Sequence, residues 1–183
     1  MSDNTASKFD ASQLDSESLR FYLWMLADKS LPPYIKQKVA PSDIVQQTFL
    51  EAHRDLENFQ VSSQADLRAW LRAILLNNAQ NVIRQMHTLK RDVSRELSLD
   101  VLEDQTAELK SPSALAAFEE EFRILESALA ALPQEFRDAI EYRSLRRWTF
   151  AQVGQKLGKG EDAARKTWFR AVKFLKEQMG MLK

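Results

Sequence analysis

The stretch "TFAQVGQKLGKGEDAARKTWFRAVKFL", Thr149 to Leu175, decides how the chain is to be read. Within it, Ala164, Trp168, Ala171 and Leu175 recur at steps of four, three and four residues, a spacing that lines one face of an α-helix. Arg165, Lys166, Arg170, Lys173 and Lys176 stand around that stripe. Upstream, Thr149 offers an oxygen to cap a shorter helix, and Gly158 suits the turn that ends it. The pattern predicts a short helix, a glycine turn and a longer helix with a basic outer face, which is the helix-turn-helix plan. Val153 and Leu157 would pack the first helix on the second through Ala164 and Trp168, with Gly154 small where the two approach closely. The outer face would then present Arg165, Lys166, Phe169 and Arg170, and a helix fits the major groove of B-DNA. Arg147 and Thr149, at the start of the first helix, can hold a backbone phosphate against the helix dipole.

Composition narrows the alternatives. The chain has no cysteine, which excludes disulfides, thiolate catalysis and Cys-based zinc sites. Only four glycines occur, the first at Gly154, so nothing before it can form a Gly-rich phosphate loop. Leu, Ala, Glu, Arg, Lys and Gln dominate, and all are helix formers, so the expected fold is all-α. No apolar run is long enough to span a bilayer and no secretory leader is visible, so a cytoplasmic protein with no membrane partner is expected. His53 and His87 are the only histidines and fall in different predicted helices, with no carboxylate pair beside them. We therefore expect neither an enzyme nor a metal or cofactor site.

The 26 basic and 26 acidic residues cancel in sum but not in place. From Tyr142 onward the bases far outnumber Glu161, Asp162 and Glu177. From Glu96 to Glu121 the sign reverses, with Lys110 facing a run of acids. Such blocks suit a polyanion partner for the basic end, although a solvated charged surface reads the same way.

Helical patterns divide the chain into two units. A small polar tail, residues 1–16, precedes a helix from about Glu17 to Ala27 with Leu19, Tyr22, Leu23 and Leu26 apolar; "SLPPY" breaks it. "APSDIVQQTFLEAHRDLENF" follows, with Ser42 or Asp43 as N-cap and Val45, Phe49, Ala52, Leu56 and Phe59 inward. After the polar loop "QVSSQ" comes "ADLRAWLRAILLNNAQNVIRQM", with Leu67, Trp70 or Leu71, Ile74, Leu75, Val82 and Met86 inward. These helices make a first domain over residues 17–90. Residues 91–113, acidic and closed by Ser-Pro-Ser, read as a flexible linker. The second domain, residues 114–183, opens with "ALAAFEEEFRILESALAAL", continues as "PQEFRDAIEYRSLRRW", and ends with the two helices already described.

Two stretches together carry a family likeness. "LPQEFRDAIEYRSLRRWTFAQVGQKLGKGEDAARKTWFRAVKFL" resembles region 4 of bacterial sigma factors of the extracytoplasmic-function group within the sigma-70 family. "PSDIVQQTFLEAHRDLENF" followed by "LRAWLRAILLNNAQNVIRQ" resembles their region 2. The resemblance implies two helical domains on a flexible linker, and a protein that directs RNA polymerase core enzyme to promoters without doing chemistry itself. It assigns core contact to Asp43, Gln46, Gln47, Phe49, His53 and Arg54, on a helix that would dock on the polymerase clamp helices. The family often carries Glu where Gln47 stands. It assigns the single-stranded −10 element to Ser62, Ser63, Gln64, Arg68, Asn77, Asn78, Asn81 and Arg84, and Arg72 lies along the same path. It assigns the duplex −35 element to Arg147, Thr149, Arg165, Lys166, Phe169 and Arg170. Splaying one base out of the stack costs a few kcal/mol, so a preformed polar pocket in the "QVSSQ" loop is expected to offset it. An anti-sigma factor is a further candidate partner. The alternative is a helix-turn-helix regulator acting without polymerase, which leaves "PSDIVQQTF" unexplained. If the two domains move freely, a closed arrangement without polymerase would hide both DNA surfaces.

Overall fold

Helix α1 spans Glu17–Ser30, α2 Pro33–Lys36, α3 Pro41–Asp55 and α4 Gln64–Arg91. Then come α5, Pro112–Ala131, α6, Gln134–Ile140, α7, Phe150–Leu157, and α8, Glu161–Gln178. This computed structural model describes residues 16–56, 63–91 and 112–180, and among them there is no strand. The fold is all-α, as the composition predicts. The polar tail, Phe59, most of the "QVSSQ" loop with Ser62, and most of the acidic linker lie outside the described residues.

The helix starts follow local chemistry. Ser16 caps α1 by accepting from the Leu19 N–H. In α3 the expected cap moves: Pro41 is the first helical residue and Ala40 the N-cap, so Asp43 sits in the third position and its carboxylate accepts the Ala40 N–H at 3.1 Å. Proline fits there because it lacks an N–H that would be orphaned anyway. In α4 the cap is Ser63, whose Oγ accepts the Asp66 N–H at 3.1 Å and donates to the Asp66 carboxylate at 2.8 Å.

The apolar stripe of α1 shows one face; the structure buries nearly all of it. From Phe21 to Ala27 every residue is buried, because α1 packs on α3 and α4 on one side and on α5 and the segment after α6 on the other. Tyr22 meets Phe118 and Phe122 of α5 edge-on, with ring centroids at 5.2 and 5.9 Å. Trp24 meets Trp168 of α8 edge-on at 5.9 Å. One apolar cluster thus runs from Leu19 through Leu71 and Leu125 to Leu175, and the two predicted units share it. Each such leucine contributes about 1.5–3 kcal/mol by leaving water.

The predicted helix from Pro133 to Trp148 is not continuous. After α6 the chain widens into a π-turn, Glu141–Leu145, whose last bond runs from the Arg146 N–H to the Glu141 carbonyl at 2.9 Å. Arg147 then takes a left-handed backbone, φ 63°, and the Trp148 N–H reaches the Tyr142 carbonyl at 2.9 Å. The wider turn lets Ser144 accept the Trp168 indole N–H at 2.9 Å and Tyr142 stack on Trp148 at 4.6 Å.

A second tie between the units is polar. The Asp28 carboxylate, on α1, accepts from Lys36 at 2.9 Å and from Lys176 of α8 at 2.6 Å. Burial alone would raise the Asp28 pKa, but the bonds from Lys176 and Lys36 outweigh it and hold the group below its ordinary 3.8. A lowered folded-state pKa means that the contribution is complete above the ordinary value and fades as pH falls through it. Asp28→Asn is therefore expected to cost about 1–2 kcal/mol at pH 7. The gap between variant and parent in urea unfolding should narrow as pH drops from about 5 to 3.

Candidate nucleic-acid interface

The two C-terminal helices form as their sequence predicts. Thr149 caps α7: its hydroxyl accepts the Gln152 N–H at 3.2 Å, and the Gln152 amide oxygen accepts the Thr149 N–H at 2.8 Å. Gly158 ends α7 in the left-handed region, φ 66°, where a side chain would be strained. Val153, Ala164 and Ala139 are buried together, with Leu157 and Trp168 packed against them. Gly154 is needed for a closer reason than helix contact: a Cβ there would sit 2.6 Å from the Lys159 carbonyl oxygen, so the turn itself lies on it.

Arg165, Lys166 and Arg170 are exposed on α8, and Phe169 is 58% exposed, a large apolar ring left in water among them. Phe150 lies beneath two cations, Arg143 at 4.6 Å and Arg165 at 5.2 Å from its centroid. Burial, helped by the nearby Arg165 charge, lowers the Arg143 pKa. The Arg143 guanidinium also donates to the Trp148 carbonyl at 2.9 Å. Arg165 pairs with Glu161 one turn back at 3.0 Å, an exposed pair that a polyanion could displace. Lys176, counted with the basic face, instead turns into the seam with Asp28.

On α3, Gln46, Gln47, His53 and Arg54 are exposed, as the outer-face reading requires. Gln47 donates to Glu51 at 2.7 Å, and Arg54 to Asp55 at 3.1 Å. Phe49 is buried, with Arg20 over its ring at 4.9 Å, so it supports this face from beneath and does not present itself to a partner. Leu50, 59% exposed, joins this face although the resemblance does not assign it. The signal for it was present: an apolar residue off the inner stripe, one turn from Gln46. Beside this face a groove of about 440 Å³ runs between α1, α3 and the π-turn, lined by Trp24, Val45, Leu50, His53 and Arg147. Across it Arg147 pairs with Asp43 at 2.7 Å, which joins a residue expected on duplex DNA to one expected on polymerase.

The residues expected along the single strand separate. Asn77, Asn81, Arg84 and Gln64 are exposed on α4, and Ser63 is the α4 cap. Asn78 is not on that surface. It is buried and donates to Thr48 at 3.4 Å and Glu51 at 3.1 Å, which locks α4 to α3. Trp70 is half-buried, and Leu71 takes the core position between them. Arg68 and Arg72 face α5. Arg68 forks onto Glu119, Nε to Oε1 at 2.9 Å, and lies over Phe122 at 4.7 Å. Arg72 reaches Tyr22 and, at 3.4 Å, Glu121, and lies over Phe118 at 5.5 Å. Burial raises the Tyr22 pKa, so its hydroxyl stays protonated and donates to Glu121 at 3.1 Å.

Among the described residues no helix is long and apolar enough to cross a membrane. Residues 34–88, which cover α3 and most of α2 and α4, match the family model for Sigma-70 region 2. No curated protein matches the chain.

Proposed function

We propose, from the Sigma-70 region 2 domain over residues 34–88, that the chain is a sigma-70 family sigma factor of the extracytoplasmic-function group, with region 4 at its C-terminal end. The domain match indicates a role in binding RNA polymerase core and in opening promoter DNA, a task without catalysis by the chain itself. The α3 face of Gln46, Gln47, Leu50, His53 and Arg54 is the surface for polymerase core, with Leu50 as its apolar centre. Asn77, Asn81 and Arg84, on the exposed side of α4, line the path of the −10 strand.

The observation that carries the C-terminal part of this reading is Phe169 exposed among Arg165, Lys166 and Arg170, on a helix held by a capped partner and a glycine turn. A helix so presented reads a major groove, with arginine on guanine or phosphate and an apolar ring on thymine methyl groups. Arg147 and Thr149 at the start of α7 suit a backbone phosphate. Arg165→Ala is expected to cost about 1–3 kcal/mol on the preferred −35 duplex and much less on scrambled duplex. Band-shift titration of both duplexes by the chain bound to polymerase core measures this. An equal loss on both would make Arg165 a phosphate clamp.

The test of the whole reading is co-elution with purified bacterial RNA polymerase core, beside a Gln46→Ala/Gln47→Ala/Leu50→Ala variant. Stable co-elution that the triple change weakens supports a sigma factor docked through α3. Failure to co-elute, with duplex DNA still bound, would replace it with a DNA-binding regulator that works without polymerase.

A further inference from the structure

We propose that Phe150 is a positioning residue for duplex recognition: its ring aims the Arg165 guanidinium at the groove. The proposal rests on the reading of α8 as a duplex-binding helix and deepens it, because it makes the sequence choice of α8 depend on a residue of α7. Arg165 lies over the Phe150 ring, with its guanidinium carbon 5.2 Å from the centroid. A ring draws a cation through the charge of its π face and offers no lone pair, so the N–H donors are not consumed by an acceptor. Arg165 places one N–H on Glu161, at 3.0 Å. That pair is exposed and weak, and a base edge or a phosphate can take the place of Glu161. When it does, the ring still holds the guanidinium.

The ring is itself held in place. Its backbone opens α7 directly after the Thr149 cap. Trp168 of α8 meets it edge-on at 5.8 Å, and the Trp168 indole N–H is fixed on Ser144 at 2.9 Å. Arg143, half-buried, lies over the same ring at 4.6 Å and donates to the Trp148 carbonyl at 2.9 Å. It sets a second positive charge near Arg165, close enough that Arg165 adds to burial in lowering the Arg143 pKa. That repulsion opposes any turn of Arg165 back toward the loop. A two-pronged contact to guanine needs the arginine fork at one angle and one depth, whereas an arginine free to sample its rotamers reaches phosphates of any sequence. The ring thus turns a positive charge into a sequence reader.

The test uses the full chain bound to polymerase core and two fluorescein-labelled duplexes, followed by anisotropy. One duplex is enriched from a randomised pool by the parent complex. The other is the same duplex scrambled at the positions whose enrichment Arg165→Ala removes. Phe150→Leu removes the ring and keeps an apolar side chain. It is expected to weaken the enriched duplex about fivefold and to leave the scrambled one little changed. Phe150→Tyr keeps the ring and should bind like the parent. In an Arg165→Ala background Phe150→Leu should cost nothing further, whereas beside Lys166→Ala its loss should persist in full. Urea unfolding of each variant keeps the comparison between folded proteins. An equal loss on both duplexes, a loss that persists without Arg165, or no loss at all would overturn the proposal and leave Phe150 a packing residue. If Arg165→Ala removes no enriched position, the reading of α8 as a sequence reader falls, and the proposal falls with it.

Discussion

Trp168→Ala is expected to remove about 3–5 kcal/mol of folding stability, read as a fall in the urea midpoint. The ring is where the C-terminal pair of helices meets the rest of the chain. It packs against Val153 and Ala164 in the small cluster and reaches the large one through Trp24, with centroids 5.9 Å apart. Its indole N–H holds Ser144, which is buried inside the π-turn. Truncation leaves a void bordered by Trp24, Phe150 and Phe169, and exposes the seam to water. Trp168→Phe restores a ring but not the bond to Ser144, and should recover all but about 1–2 kcal/mol. A loss under about 1 kcal/mol for the alanine variant would mean that the two units are not joined through this ring.

Gly154→Ala is expected to cost about 3 kcal/mol net, a large penalty for one methyl group. Alanine is the better helix former by about 1 kcal/mol, so the sign depends on space. The new Cβ would stand 2.6 Å from the Lys159 carbonyl and 3.2 Å from two atoms of Gly160. These are backbone atoms and cannot rotate aside; the turn must move, and α8 moves with it. Affinity for duplex DNA should therefore fall further than stability alone accounts for. Titrating duplex at a temperature where the variant remains folded separates the two effects. Unchanged stability and unchanged binding would show that the turn relaxes freely.

Where function meets structure, local signals were legible and distant ones were not. The cap at Thr149, the turn at Gly158 and the packing of Val153 on Ala164 depend on residues a few positions apart, and the sequence shows them directly. Asn78 could have been read as well: with Leu71 and Leu75 it continues the inner stripe of α4 at steps of four and three. The resemblance assigns its amide to base reading together with Asn77 and Asn81, and of the three only those two face water. The all-round burial of α1 had no local signal, since its second face is covered by helices about a hundred residues away. The same holds for Arg68 and Arg72, whose partners lie on α5, 51 and 49 residues further on. Charge blocks showed that acids and bases were segregated, but not which acid would find which base.

The π-turn at Glu141–Leu145 fixes more than a local geometry. A helix that holds one residue more than its turns require behaves as though that residue had been spliced in without breaking the rod. Deleting any single residue of the five would let the helix close up as an ordinary one, because a π-turn absorbs its extra residue within a single turn. The bearing of α7 and α8 would then be nearly kept, whereas one residue taken from α6, which has no such slack, would turn everything after it by about 100°. What the deletion would remove is the widening that seats Ser144 under the Trp168 indole. Along this chain, that five-residue segment is where length itself can change at the least cost to the direction in which Arg165 and Phe169 look.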